Sequence, residues 1–434
     1  MNEKIEIHEE NENIADNETN NELRGDFKNE IKNKKITAII AEFNPLHRGH
    51  EYIIQRSKEL TGNENVIIIQ SGNFVQRAVP AVMDKFTRGR HAIMAGASAV
   101  VEIPTMFATG NAEVFAKGSV RVAASFDGVT HLAFGIEADE LEILESIASV
   151  MVTQEKKYRK IIKPMIKQGE SYDTARTKAV AIMLPGHGKK TIEKVMSTAN
   201  NKLGIEYLKE LKRIKSNIIP IGIKRQDGVS STNIRVQISN VQSGHNGGHG
   251  DALENLGKFG LSKHVDATGA LRKHNFDIYG NIALYSLRTK LTEEIYNANT
   301  EILNRIKNLS VTTFREYLET APTKRYTISR MSRLALHAIL GVNKSDIGMI
   351  YKCHKGKKMF LPYANLLGAR REIVPTLISN TNTHIMFKGN PQNNNTAKRL
   401  NENFAQRLQE IDTSAQTLYE VISAKKQMIK PVFV

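Results

Sequence analysis

The sequence predicts an α/β fold, a parallel sheet with helices between its strands, followed by a helical C-terminal domain. Short apolar runs alternate with amphipathic segments from Ile36 to about Arg272, that alternation stops near Phe276, and beyond it the apolar residues recur at helical spacing. With 434 residues, 40% of them apolar, the chain can bury a sizeable core and build two or three domains.

Residues 1–35 are rich in Asn, Glu and Lys, with ten acidic side chains against six basic ones. Too few apolar positions are present to offset the entropy of ordering, so a disordered leader, dispensable for the chemistry, is expected. In the unit spanning 36–275 the strands are expected at Thr37–Ala41, Asn65–Gln70, Ala99–Ile103, His131–Phe134 and Ile218–Ile223. Ligands of such sheets bind at the carboxyl ends of the strands, which is where Glu42, Ser71 and Gly135 fall. Within VQSGHNGGHG, residues 241–250, His245 and His249 with the following Asp251 invite a metal reading, but a Gly-rich segment holds ligands poorly; a solvated insertion is expected and no metal is assigned. The unit spanning 276–434 is expected to be helical, with helices at Asn281–Leu291, Glu294–Arg305, Thr312–Leu318, Ile328–Leu340 and Asn401–Lys425 and no strands standing out.

Charge narrows the choice of partner. The chain carries a net +16, and since the leader is acidic the remainder carries about +20, which favours a polyanion. The absence of Trp and 6% aromatic content argue against a single-strand stacking platform. No run of about 18 apolar residues occurs and the N-terminus is polar and acidic, so neither a membrane span nor a secretory signal is expected. A single cysteine, Cys353, excludes an internal disulfide and a thiolate metal cluster, and a cytoplasmic location is the expectation.

The most informative stretch is Ile36–Ile54, ITAIIAEFNPLHRGHEYII: a buried strand, an Asn44-Pro45 turn, then His47-x-Gly49-His50 opening a helix. A helix N-terminus presents unpaired N–H groups and partial positive charge, so this turn suits a polyphosphate. Two imidazoles three residues apart share one helical face, and Gly49 allows close approach of backbone to a phosphate. A second segment, Ser71–Lys85, places Ser71-Gly72-Asn73 at a strand's end and adds Gln76, Arg77, Asp84 and Lys85. Arg77 and Lys85 are candidate phosphate cations, with Asp84 positioning Lys85 or helping to hold Mg2+.

The blocks AEFNPLHRGHEYI, SGNFVQRAVPAVMDKFTR, AGASAVVEIPTMFATGNAEVFAKGSV, HLAFGIE, ANNKLGIEYL, IKR, DATGALRK, APTKRYTISRMSRLALHAIL and YANLLGARRE follow one another between Ile36 and about Lys388. In sequence and order they resemble the tRNA(Met) cytidine acetate ligase family, of the wider H-x-G-H nucleotidyltransferase group. The resemblance implies a Rossmann-like nucleotidyltransferase domain over 36–275 and an enzyme that uses ATP and acetate to form acetyl-adenylate. The acetyl group would then pass to N4 of the wobble cytidine of elongator tRNA(Met), the expected partner; Mg2+ is the expected companion of ATP. It further implies an ATP site along Ile40, Ala41, Glu42, Phe43, Asn44, Pro45, Leu46, His47, Arg48, Gly49, His50, Glu51, Tyr52 and Ile53, completed by Gly135, Asn200 and Arg225. His47 and His50 would contact the phosphates as the catalytic pair, Asn200 the base or ribose, and Arg225 a phosphate through its fork.

Three segments depart from the family pattern: Ser98 stands where Asp is usual, Ile136 where Ser is usual, and Ala78-Val79 where Gly-Glu is usual. They bear on the fine geometry of the phosphate pocket rather than on the reaction class. For the late phosphate loop two segments compete, Ser230–Arg235 by its letters and Asp266–Arg272 by its position; the second is preferred, with Thr268 and Arg272 as contacts. Lys324, Arg325, Arg330 and Arg333 form a basic cluster suited to a tRNA backbone, and His354–Lys358 a second basic patch of lower specificity. Two other readings remain: a nucleotidyltransferase acting on a phosphorylated metabolite, and a non-catalytic tRNA-binding protein with a degenerate nucleotide site.

Overall fold

The computed structural model describes residues 34–137, 141–225, 231–242, 256, 258, 260–265, 276–352, 361–379, 381, 384–387, 390–391, 402–423 and 432–434. Nearly all of the expected leader, the stretch 243–251, His354–Lys358, and Thr268 and Arg272 with their whole loop Asp266–Arg272 therefore lie outside the described residues.

Five strands form the parallel part of the sheet: β1 (Ile36–Ala41), β2 (Asn65–Ser71), β3 (Ala99–Ile103), β4 (Val129–Ile136) and β5 (Ile219–Lys224). Their spatial order is β5-β4-β1-β2-β3, every neighbouring pair parallel. The chain runs outward from β1 to β3 and then returns to the other side of β1. Its direction of winding reverses between β1 and β4, which opens a crevice at their carboxyl ends where ligands of such folds bind. The central strands read as continuous apolar runs because both faces are covered: Val66, Ile67, Ile68 and Ile69 are all buried.

Helices pack between and beyond the strands, among them α1 (Arg48–Thr61), α2 (Lys85–Met94), α3 (Ala112–Ala124), α4 (Leu141–Thr153), α5 (Glu155–Lys167), α6 (Tyr172–Met183), α7 (Lys189–Ser197), α8 (Ala199–Arg213), α9 (Ser231–Gln242), α10 (Phe276–Thr289), α11 (Thr300–Lys307), α12 (Phe314–Thr320), α13 (Ile328–Leu340), α14 (Lys344–Lys352) and α15 (Glu402–Ser423). Their limits follow from caps. Thr327 accepts from the Arg330 N–H and opens α13, Asn299 accepts from Ile302 and delays α11 to Thr300, and Thr313 with Glu316 forms a capping box at α12. Among the described residues no helix is long and apolar enough to cross a membrane.

One expectation needs correction. The C-terminal third is not free of strands: β6 (Tyr363–Ala369) lies antiparallel on β3, pairing Ala99 with Ala369, and β7 (His384–Phe387), β8 (Asn390–Pro391) and β9 (Val432–Phe433) extend the sheet beyond it. Most of β6 is buried, so it shows no polar alternation, and its partner lies far back in the sequence. The expected helical unit therefore divides. Leu284, Tyr317, Met331 and Leu334 share a core of their own within 276–340, whereas Tyr363, Leu366, Phe404 and Leu408 join the core of the sheet.

Candidate nucleotide site

A cleft of about 550 Å³ opens at the switch point, in the size range of small-molecule sites. Its lining includes Ile40, Ala41, Glu42, Phe43 and Asn44 from the end of β1, His47, Gly49, His50, Tyr52 and Ile53 from α1, Gly135 from β4, Asn200 from α8, and Arg225. Pro45, Leu46, Arg48 and Glu51 are absent from it. Leu46 is buried in the core, the Asn44–Pro45 peptide is cis, and the Arg48 N–H is taken by the Gly260 carbonyl.

His47 is the N-cap of α1, and its backbone N–H donates to His50 Nδ1 at 3.3 Å. The two rings stack with centroids 3.6 Å apart. Because His50 Nδ1 accepts, its proton sits on Nε2, leaving that nitrogen a donor for a ligand. His47 Nε2 lies 2.9 Å from Ser231 Oγ, while its Nδ1 is buried without a partner among the described residues. A side chain at Gly49 would crowd that atom, its Cβ falling 3.2 Å from His47 Nδ1, so glycine here makes room for an imidazole as well as for a ligand. Burial, then the Arg225 and Arg235 charges, lower the His47 pKa to about 4; burial, then His47 and Arg225, hold His50 well below the usual imidazole range. Both are neutral donors and acceptors at pH 7.

The positive charge of the cleft comes from arginines. Arg77, Arg225 and Arg235 all line it. Arg225 donates from its backbone to the Ile136 carbonyl, and its guanidinium lies 3.8 Å from Glu137, the same carboxylate that accepts from Asn200 Nδ2 at 2.7 Å. Arg235 donates to the Asn44 carbonyl at 2.8 Å, and Asn44 Oδ1 accepts from Val82 N–H at 2.8 Å, so the turn is fixed from two sides. Glu42 accepts from the Gln76 N–H at 2.7 Å; burial raises its pKa in spite of that bond and of the Arg88, Arg235 and Arg77 charges. Ser231, Thr232 and Arg235 of the first candidate phosphate loop, the segment favoured by its letters but set second by its position in the chain, thus reach the cleft.

Lys85 is placed differently from its expected role. Its Nζ is 2.7 and 2.9 Å from the two Glu102 oxygens, a buried pair beneath the sheet's end, and it does not line the cleft. The pair forms because Glu102 projects from β3, a neighbour that local spacing cannot reveal. Asp84 caps α2 by accepting from Thr87 N–H and Oγ1. Sequence reading also passed over Arg88, fully buried, which donates to the carbonyls of Glu42, Ser71, Gly72 and Met83 and so ties the ends of β1 and β2 together. A buried arginine has no local signature; Glu137, by contrast, stood inside a quoted block.

The basic cluster that runs from Lys324 into α13 is largely committed. Arg333 Nε donates to the Gln76 carbonyl at 3.0 Å, with burial lowering its pKa to about 10. Arg330 donates to the Asn297 carbonyl and lies 4.7 Å from the Tyr326 ring centroid; Arg325 pairs with Glu301 at 3.1 Å. Lys324 remains exposed. Two of the three departures lie off the cleft: Ser98 accepts from the Val66 N–H at the start of β2 and β3, and Ile136 is packed in the sheet's core. Ala78 adopts φ +56°, a left-handed conformation that glycine takes without strain.

Comparison with known proteins agrees with this geometry. The HIGH Nucleotidyl Transferase family model matches residues 34–430. The tRNA(Met) cytidine acetate ligase of Thermoanaerobacter sp. (strain X514) is 35% identical over 318 residues, covering 71% of this chain and 79% of the relative, and that of Clostridium perfringens (strain SM101 / Type A) is 31% identical over 368 residues, covering 81% and 89%. The crystal structure of Thermotoga maritima TmcAL bound with alpha-thio ATP superposes with a TM-score of 0.79 at 26% identity, covering 92% of this chain and 99% of that one. The stacked histidines at the switch point, the matched family model and these relatives together assign the chain to the HIGH nucleotidyltransferase family, among the tRNA(Met) cytidine acetate ligases.

Proposed function

We propose that the chain is an ATP-dependent acetate ligase that forms acetyl-adenylate and transfers its acetyl group to N4 of the wobble cytidine of elongator tRNA(Met). The observation that carries the reading is the cleft at the switch point, where two neutral, stacked imidazoles at a helix N-terminus face three arginines. An acetate oxygen attacks the α-phosphorus, the bond to the bridging oxygen breaks and pyrophosphate leaves. No protein nucleophile is required. The chain's part is to align the reactants and stabilise charge on the phosphate oxygens, through the N–H groups of α1, His50 Nε2–H and the guanidinium groups of Arg77, Arg225 and Arg235. Asn200, held by Glu137, orients the nucleoside. The cytidine amine then attacks the acyl carbon, AMP leaves, and the amine loses its proton.

Among the described residues no group of three or more His, Cys, Asp or Glu side chains forms a metal cage. Mg2+ would enter on the triphosphate, held by its oxygens, and would offset part of its charge.

Purified protein incubated with ATP, labelled acetate and elongator tRNA(Met) should yield labelled N4-acetylcytidine after nuclease digestion, and none without ATP. His50→Ala should lower acetate-dependent ATP–pyrophosphate exchange by at least about a hundredfold. Normal exchange in that variant would remove the phosphate role of His50, and unlabelled tRNA from the active wild type would remove the acceptor.

A further inference from the structure

Among the described residues, one helix with no part in the cleft carries a dense run of cations. α5, EKKYRKIIKPMIK, carries six basic residues against the single acid Glu155. Lys156, Lys160, Lys163 and Lys167 recur at intervals of four, three and four residues, which places them in one stripe along about 17 Å of helix. All four are exposed, and none has a carboxylate partner among the described residues. The opposite face holds Tyr158 and Ile162, both buried, which fixes the stripe toward solvent.

A helix face built only for solubility mixes signs so that neighbours one turn apart attract. Here neighbours one turn apart repel, an arrangement relieved by an anionic partner. The basic cluster that runs from Lys324 into α13 cannot serve in the same way, since Arg325, Arg330 and Arg333 are held by Glu301, Asn297 and Gln76. Position adds a second argument. The helices α4 to α7 leave the sheet just after Glu137 and return at Asn200, two residues that meet each other at the cleft, and α4 and α6 both pack against α5.

We propose that the Lys156, Lys160, Lys163 and Lys167 face of α5 is the surface on which the phosphate backbone of the RNA substrate docks. The inference rests on the proposed function, and its test separates the two. Wild type, a fourfold Lys→Gln variant at 156, 160, 163 and 167, and a fourfold Lys→Arg variant are compared for binding of elongator tRNA(Met) over a range of salt. Acetate-dependent ATP–pyrophosphate exchange is measured without tRNA as the readout of an intact cleft.

The Gln variant should bind tRNA at least about tenfold more weakly at 0.1 M salt, with the slope of log affinity against log salt shallower by about three, while the Arg variant keeps both. Exchange should be equal in all three proteins. Wild-type affinity and slope in the Gln variant would overturn the inference alone, because the wild type would still acetylate tRNA. Loss of binding to phosphatidylglycerol vesicles with tRNA binding unchanged would overturn it in favour of a membrane. A wild type that neither binds nor acetylates tRNA would overturn the proposed acceptor and this surface together.

Discussion

Neither His47 nor His50 carries charge at neutral pH, so the cleft separates two tasks: the imidazoles supply directed N–H groups, and the arginines supply the field. The pH dependence of stability follows. An unfolded imidazole takes up its proton near pH 6.5, the folded His47 only near pH 4. Between those values the unfolded chain holds more protons, so this contribution is complete above about pH 6.5 and is lost as the pH falls toward 4. Urea midpoints should therefore be lower at pH 5 than at pH 7, and His47→Asn should narrow that difference; an undiminished difference would assign it to carboxylates. Ala78 offers a second test. At φ +56° its Cβ strains the backbone, so Ala78→Gly should raise stability by about 1 kcal/mol, an increase of a few degrees in Tm. An unchanged Tm would mean that the turn relaxes around alanine. At this scale the sequence disclosed His47, His50, Asn200 and Arg225 as neighbours, because each lies in a motif. It misdirected Lys85, at the start of α2, whose partner Glu102 is on the following strand β3, and it could not reveal Arg88, whose role lies in carbonyls of distant segments.

Elements were legible where their signals are local. α13 runs over the residues expected of it, Ile328–Leu340, because a threonine cap, apolar helical spacing and a terminal glycine all lie within the segment. β6 was not legible, because what makes Tyr363–Ala369 a strand is the open flank of β3. The contact of α13 with the cleft was equally hidden. Arg333 holds the Gln76 carbonyl, and Ser332 and Tyr279 donate to the Ala78 carbonyl, so α10 and α13 position the turn that carries Arg77. Arg333→Ala should consequently slow acetate-dependent pyrophosphate exchange by between about ten- and a hundredfold, whereas Arg325→Ala, which removes only an exposed pair, should leave it unchanged. Equal exchange in both variants would mean that the turn holds its shape without α13.

For the molecule as a whole, the excess of positive charge is not spread evenly in its effect: buried or paired arginines serve the fold, and lysines with no carboxylate partner among the described residues face outward on α5. The sheet likewise belongs to both ends of the chain. Ala99 to Val101 pair with Leu366 to Ala369, and β6 in turn receives β9, so the strand that finishes the nucleotide-binding half comes from beyond the helical region. This has a bearing on biosynthesis. While a ribosome is still making the helices of 276–352, the apolar β3 has an open row of backbone donors and acceptors. The nascent sheet must therefore wait for its last strands with one flank uncovered, and a chain interrupted before Tyr363 would offer that flank to any other strand it meets.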